Sequence, residues 1–224
     1  MGWRGVGAAL AAGALGWVVA GCGGSTEIDW TAPESLILWE NAATTQEGVE
    51  LQYWSLIDAP PDAVYRALTD VEHYAEFIPG VSDVQLLDAT PTTKTVQMVQ
   101  RVVRRHGHAK VEWTFAPAER RIEFRTLESD IAHNEGSYEI EASPDGQRCL
   151  IRATFLVYDG ARAGANARSA PVRIVASATR ESFRAAADGV KRRATNGTSP
   201  PAPALEDRPM PAPEDRPAPA IGDG

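Results

Sequence analysis

Cysteine is nearly absent from this chain, occurring only as Cys22 and Cys149. That rules out a disulfide framework or a cysteine-rich zinc site as the basis of the fold. Histidine is scarce too, with His73, His106, His108 and His133 as its four occurrences. His106 and His108 flank a glycine but lack the further ligands a metal site needs, so no metal is assigned. Basic residues are outnumbered, 22 against 30 acidic, for a net charge of −8. A balance of that sign argues against nucleic acid as a partner and serves solubility. There is no nucleophile elbow, phosphate loop, dinucleotide fingerprint or Cys-x-x-Cys pair, and no cofactor is expected.

The N-terminus carries a targeting signal. Residues 1–21 supply one positive charge at Arg4, an Ala- and Gly-rich apolar run, and small residues before Cys22, the layout of a signal peptide. The run is too weakly hydrophobic for a permanent span. Val19-Ala20-Gly21-Cys22 is similar to a bacterial lipobox, which implies acylation of Cys22 and cleavage before it. An ordinary secretory signal with a chance cysteine is the alternative. Two or three acyl chains, at about 0.8 kcal/mol per buried CH₂, hold a protein stably to a bilayer. The expected location is therefore the cell envelope, anchored to a bacterial membrane. In a cell with two membranes, Gly23 after the cysteine resembles the pattern for outer-membrane sorting, facing the periplasm. Once Cys22 carries lipid, Cys149 has no partner, and its apolar strand flanks mark it as a buried, inert thiol.

Residues 22–46 read as anchor, linker and a short amphipathic helix, with Leu36, Trp39 and Ala43 at helical spacing. Val49 to Ile57 reads as the first strand, apolar on both faces, which asks for a cover on the outside. A strand-to-helix corner follows at Ile57 to Gly80. Pro61 suits the first helical position, Asp62 favours the helix start, Val64 and Leu68 share a face, and Asp70 is the expected N-cap of a second short helix. Six further strands are expected near 81–88, 95–105, 109–116, 121–129, 136–143 and 148–158. Turns are expected at His106-Gly107, Pro117 to Arg120, and Ser143 to Gly146. Consecutive hairpins give an antiparallel, curved sheet whose apolar face needs a cover. Residues 171–195 supply it: after Pro171, an amphipathic helix carries Val172, Val175, Thr179, Phe183, Ala186 and Val190 on one face. From 196 to 224 the chain is Pro/Ala-rich and repeats Glu-Asp-Arg-Pro, the composition of a disordered tail whose protein partner, if any, is unknown.

The corner with its Pro-Pro pair and closing Pro79-Gly80-Val81, the Gly136-Ser137-Tyr138 strand and the helix after Pro171 together resemble the START-like superfamily, particularly its polyketide cyclase/dehydrase and coenzyme Q-binding branches. Tyr138 stands where Trp is usual and Ala75 where Pro is usual. The resemblance spans residues 47–195. It implies an α+β helix-grip fold, a curved antiparallel sheet wrapped around a long C-terminal helix, with a cavity between the two.

Strand phase indicates what such a cavity would contain. Val111, Trp113 and Phe115 alternate with Lys110, Glu112 and Thr114; Ile122, Phe124 and Thr126 alternate with Arg121, Glu123 and Arg125. Tyr138 and Ile140 likewise oppose Glu139 and Glu141. The inward set is Met98, Gln100, Val111, Trp113, Phe115, Phe124, Thr126, Tyr138, Ile140 and Phe155 from the strands, with Val175, Thr179 and Phe183 from the helix. It is almost uncharged, with Gln100, Thr126, Thr179 and the Tyr138 hydroxyl as sparse polar groups, which suits an apolar ligand. A solid core has the same composition, and periodicity alone does not separate the two. The leading expectation is a membrane-tethered binder or transporter of a lipid, quinone or other hydrophobic small molecule, with no catalytic residue. The alternatives are a cyclase- or hydrolase-like enzyme using His106, His133 or Arg104 at the cavity mouth, and a non-catalytic envelope scaffold. The basic hairpin around Arg101, Arg104 and Arg105 is either a solvated edge or a tip that faces lipid headgroups.

Overall fold

A computed structural model describes residues 27–45, 48–102, 105–130, 133–158 and 172–196, and for 102, 105 and 172–175 the backbone alone. The lipobox at Cys22, Pro171, Arg104, the Val175 side chain and the tail from 197 lie outside the described residues. Met1–Thr31 separates from the domain at Ala32–Gly224; within it, Asp29 accepts hydrogen bonds from the Thr31 N–H and hydroxyl, at 2.9 and 2.6 Å. Among the described residues no helix is long and apolar enough to cross a membrane.

The domain is built on one antiparallel sheet. Its strands are β1 (Ser35–Thr44), β2 (Val49–Ile57), β3 (Val81–Ala89), β4 (Thr93–Val102), β5 (Arg105–Ala116), β6 (Arg121–Ser129), β7 (His133–Ala142) and β8 (Cys149–Tyr158). They lie in the order β1-β2-β8-β7-β6-β5-β4-β3. Two short helices, α1 (Pro61–Thr69) and α2 (Tyr74–Phe77), joined through a 3₁₀ turn at Val71–His73, interrupt the chain between the β2 and β3 strands. The long helix α3 (Val172–Asn196) ends the described chain. A curved sheet closed over a C-terminal helix is the helix-grip fold.

Local chemistry accounts for most of these elements. Pro61 opens α1 without a stranded N–H, and Val64 and Leu68 are buried on its inner face. In the β7–β8 turn, Gly146 takes φ +70°, while the Ser143 hydroxyl donates to Asp145 at 2.6 Å; this is the expected turn chemistry. Cys149 is fully buried, and burial pushes its thiol up to about 12.

Three expectations are corrected. The helix expected near 31–43 is instead β1, an edge strand paired with β2 in a register that sets Trp39 opposite Trp54. Tertiary pairing overrides local spacing here: the two indoles meet at 5.0 Å, and with the Arg152 guanidinium, 4.7 Å from Trp54, they cover the outer side of β2. The turn expected at His106-Gly107 lies earlier. Arg101 pairs with His106, Gln100 with Gly107 and Val102 with Arg105. Gly107 is therefore a buried strand residue that extends the inward phase of Ala109 and Val111, and glycine marks no turn there. Asp70, finally, makes no capping hydrogen bond. Its carboxylate is held by Arg193 at 2.6 Å and His73 at 2.5 Å, because α3 brings a cation to it from the far end of the sequence.

α3 lies on the concave face and meets the corner closely. A Cβ on Gly189 would sit 2.0 Å from the Phe77 carbonyl oxygen. The Gly189→Ala variant tests that contact. Helix propensity favours alanine by ~1 kcal/mol, but overpacking against backbone costs about 1–3 kcal/mol or more, so the steric effect prevails. The expected result in thermal denaturation is a Tm lower by roughly 3–8 °C for a domain of this size; an unchanged or raised Tm would show that the two helices are not in contact.

Candidate ligand-binding site

Between the concave face of β4–β8 and α3 lies a cavity of about 240 Å³. Its walls are aromatic. Trp113 stands 5.2 Å from Phe124, Phe124 stands 5.7 Å from both Tyr138 and Phe155, and Phe155 reaches Phe183 of α3 at 5.9 Å. Tyr53 stacks on Phe183 at 4.9 Å and donates its hydroxyl to the Ala176 carbonyl at 3.3 Å, which locks the helix over the sheet. Ring pairs at these tilted and edge-to-face geometries are favourable and rigid. Gly136 makes room among them: a Cβ there would meet the Thr154 carbonyl oxygen at 2.0 Å and the Phe124 ring at 3.1 Å.

The corner closes one end. Leu68, Tyr74 and Ile78 contribute to the lining; Tyr74 donates its hydroxyl to the Leu68 carbonyl at 2.6 Å and sets its ring edge-on to Trp113 at 5.6 Å. Pro79, Arg101 and Ser182 are lining residues exposed to solvent, so they mark the rim.

The structure brings Met98, Gln100, Val111, Trp113, Phe124, Tyr138, Phe155, Thr179 and Phe183 to this cavity. Phe115, Thr126 and Ile140 are buried in the core beside it and do not line it. Phe115 lies at the far end of β5, where the Lys94 ammonium approaches its ring at 5.9 Å. Thr126 is engaged by Asn134, donating to its Oδ1 at 2.6 Å and accepting its backbone N–H at 3.2 Å. Gln100 donates to the Met98 sulfur at 3.2 Å. The Tyr138, Thr179 and Ser182 hydroxyls make no hydrogen bond among the described residues. The Trp113 Nε1–H is buried without an acceptor among the described residues. Burial pushes the Tyr138 and Tyr74 hydroxyls well above the ordinary tyrosine range, so both stay neutral.

Among the described residues, no Asp, Glu, His or Cys lines the cavity. His106 is exposed on β5, and His133 stacks on Tyr158 at 5.7 Å; neither lines the cavity. Asp70, Glu72 and His73 each place one ligand atom within 4.8 Å of the others. Asp70 is already paired with Arg193, and Glu72 with Lys94 at 2.5 Å, so the group is a structural ion-pair network. Sequence reasoning missed Arg101, Asn134 and the corner residues as lining. Tyr74 lay within a recognised apolar stripe, but nothing in the sequence shows that the corner caps a cavity.

An aromatic-walled cavity gripped between a curved sheet and one long helix defines the START-like class. A family model described as polyketide cyclase / dehydrase and lipid transport matches residues 57–187, and the chain belongs to that family. Among solved structures, the Zhui aromatase/cyclase from Streptomyces sp. R1128 is similar with a TM-score of 0.54 at 20% identity, covering 66% of this chain and 97% of that one. A START superfamily protein from Mycobacterium smegmatis gives 0.56 at 14%, over 66% and 97%. A STAR-related lipid transfer protein from Xanthomonas axonopodis gives 0.51 at 14%, over 69% and 92%. At these identities the likeness establishes the fold alone. A search of curated proteins found no match.

The network that ties α3 to the corner makes a pH signature. Burial works against the Asp70 carboxylate, but hydrogen bonds from His73 and Arg193 outweigh it and hold its pKa below the ordinary 3.8. The hydrogen bond to Asp70, against some desolvation, raises His73 above 6.5. The Asp70 contribution is present above 3.8 and lost as pH falls through its lowered value; the His73 contribution is present below 6.5 and lost as pH rises through its raised value. Stability lost in Asp70→Asn, read from thermal melts, is therefore expected to peak near pH 5–6, shrink partway at alkaline pH where Arg193 remains paired, and vanish in strong acid. A loss independent of pH would overturn this assignment.

Proposed function

We propose that this protein binds a hydrophobic small molecule or single-chain lipid in the cavity without covalent chemistry, and that it does so from the cell envelope, tethered through acylated Cys22. The observation that carries the reading is the aromatic wall with no acid, imidazole or thiol among its lining residues. General acid–base or nucleophilic chemistry most often uses such a group, directly or to activate a hydroxyl, within reach of the reacting atoms, whereas reversible binding needs apolar area and a few polar groups to orient the ligand. The family description joins cyclases with lipid transport, and the lining favours the second.

The cavity size restricts the ligand. At about 240 Å³ it is below the ~300–1,000 Å³ usual for small-molecule sites, which supports a single chain or a small ring system such as a quinone head over a two-tailed phospholipid. Burying ~300 Å² of apolar ligand surface is worth about 7 kcal/mol; association costs subtract from this and leave an affinity in the micromolar range. The Tyr138 hydroxyl, neutral and without a protein partner, is suited to orient a polar end. Tethering is supported by Arg4, the apolar run and the Val19-Ala20-Gly21-Cys22 sequence.

Native mass spectrometry of the full chain purified from cells, followed by organic extraction, tests the binding. A co-purifying apolar molecule is expected, and Trp113→Glu should abolish it, since a carboxylate would be placed among aromatic rings. A folded Trp113→Glu variant that retains the molecule, or a wild-type protein that is empty and takes up nothing from a lipid and quinone panel, would refute the reading. For the tether, Cys22→Ser is expected to move the protein from the membrane fraction to the soluble fraction and to eliminate labelling by a radioactive fatty acid; unchanged membrane association would refute it.

A further inference from the structure

Among the described residues, the rim of the cavity carries charge of one sign only. We infer that the ligand is an acidic amphiphile, an apolar body with a carboxylate or phosphate head, held at the rim by Arg101, with the Asn134 amide as a further donor in the lining. This rests on the carrier reading above and narrows it.

Arg101 is the charged residue among those lining the cavity. It is exposed at the end of β4, with its backbone N–H fixed to the Gly80 carbonyl at 2.7 Å. Its guanidinium has no ion pair and no hydrogen bond among the described residues. The contrast with its neighbours is informative. Lys94 is paired with Glu72, Lys110 with Glu128 and Arg125 with Glu112, and the chain as a whole carries an acidic excess of −8. Arg66 and Arg184 also lack an ion pair among the described residues, but Arg101 is the one of the three that lines the apolar cavity, where it is available to a ligand.

Asn134 lines the cavity at the start of β7 and adds a second donor. Thr126 Oγ1 donates to the Asn134 amide oxygen at 2.6 Å and accepts the Asn134 backbone N–H at 3.2 Å. The NH₂ is left over, and it can only donate. The free polar groups of the lining thus comprise a guanidinium, an amide NH₂ and the hydroxyls of Tyr138, Thr179 and Ser182. There is no carboxylate among them. A neutral polar end would use the hydroxyls and leave the guanidinium without a partner. A cationic end would be repelled by it. An anionic head pairs with the guanidinium through charge-assisted hydrogen bonds. A single alkyl chain with its head at the rim suits a cavity of about 240 Å³ better than two chains would.

The test is isothermal titration calorimetry of the full chain at pH 7.5 with four ten-carbon probes: decanoate, decyl phosphate, 1-decanol and decylamine. The expected result is that both anions bind at least about five-fold more tightly than decanol, with decylamine weakest. Arg101→Gln should remove that margin, bringing the anions to the affinity of decanol for the same variant. The order of decanoate and decyl phosphate then tells a carboxylate head from a phosphate head. Decanol binding as tightly as the anions, or an Arg101→Gln variant that keeps their margin, would overturn this inference alone. Failure of all four probes to bind would overturn the carrier reading as well.

Discussion

The seating of α3 on the concave face of the sheet is the contact on which the rest of the molecule depends. An antiparallel sheet with one apolar face is unstable in water until that face is covered, and here a single helix provides most of the cover. Two contacts fix its position. Near its middle, Phe183 lies between Tyr53 and Phe155. Toward its end, Gly189 lets the backbone come against Phe77, and Arg193 reaches Asp70 and Glu76 while lying over the Phe77 ring at 5.3 Å. The corner helices bury Val64, Ala67, Leu68, Tyr74 and Phe77 in the same core, and these contacts join them to the end of α3.

Why a space remains between helix and sheet follows from the same geometry. Large rings in tilted and edge-on contact resist collapse, since closing the gap would force rotamers off their minima. The chain Tyr74–Trp113–Phe124–Phe155–Phe183 runs from the corner across the sheet to the helix and acts as a frame. A cavity costs stability in proportion to its volume. The buried Trp113 N–H without an acceptor adds to that cost. A fold that keeps both retains them for a reason other than its own stability, as binding sites commonly do.

The sequence made the strand phase legible because charged and apolar residues alternate strictly in β5 and β6; Trp113, Phe124 and Phe155 turned inward as alternation requires. α3 was legible for the same reason. What escaped depended on partners distant in the chain. β1 carries helical spacing at Leu36, Trp39 and Ala43, and only the free edge of β2 makes it a strand. Asp70 has the chemistry of a cap and becomes an anchor because Arg193, more than a hundred residues later, arrives beside it. Thr126 was legible as an inward polar group, but its engagement by Asn134 was not, since β6–β7 register decides it. The cavity itself was never legible from alternation, because a filled core has the same pattern. Membership in the family rests on the match over residues 57–187.

The distribution of charge separates the two faces of the sheet. On the outer face, cross-strand pairs such as Arg121–Glu139, Arg125–Glu112 and Arg152–Glu141 stand at 2.7 Å. Each is exposed and contributes about 0–1 kcal/mol, so together they do little for stability. They do fix register, because a strand shifted by one residue would carry these charges into an aromatic interior where each would be unpaired. The same alternation that solvates one face thereby keeps the other neutral. An interior kept neutral in this way has low polarity around a ligand, and any charge at its rim acts with little competition from within. Where a bound molecule's head lies is then governed by the few polar groups at the mouth, while its body is selected by volume and shape.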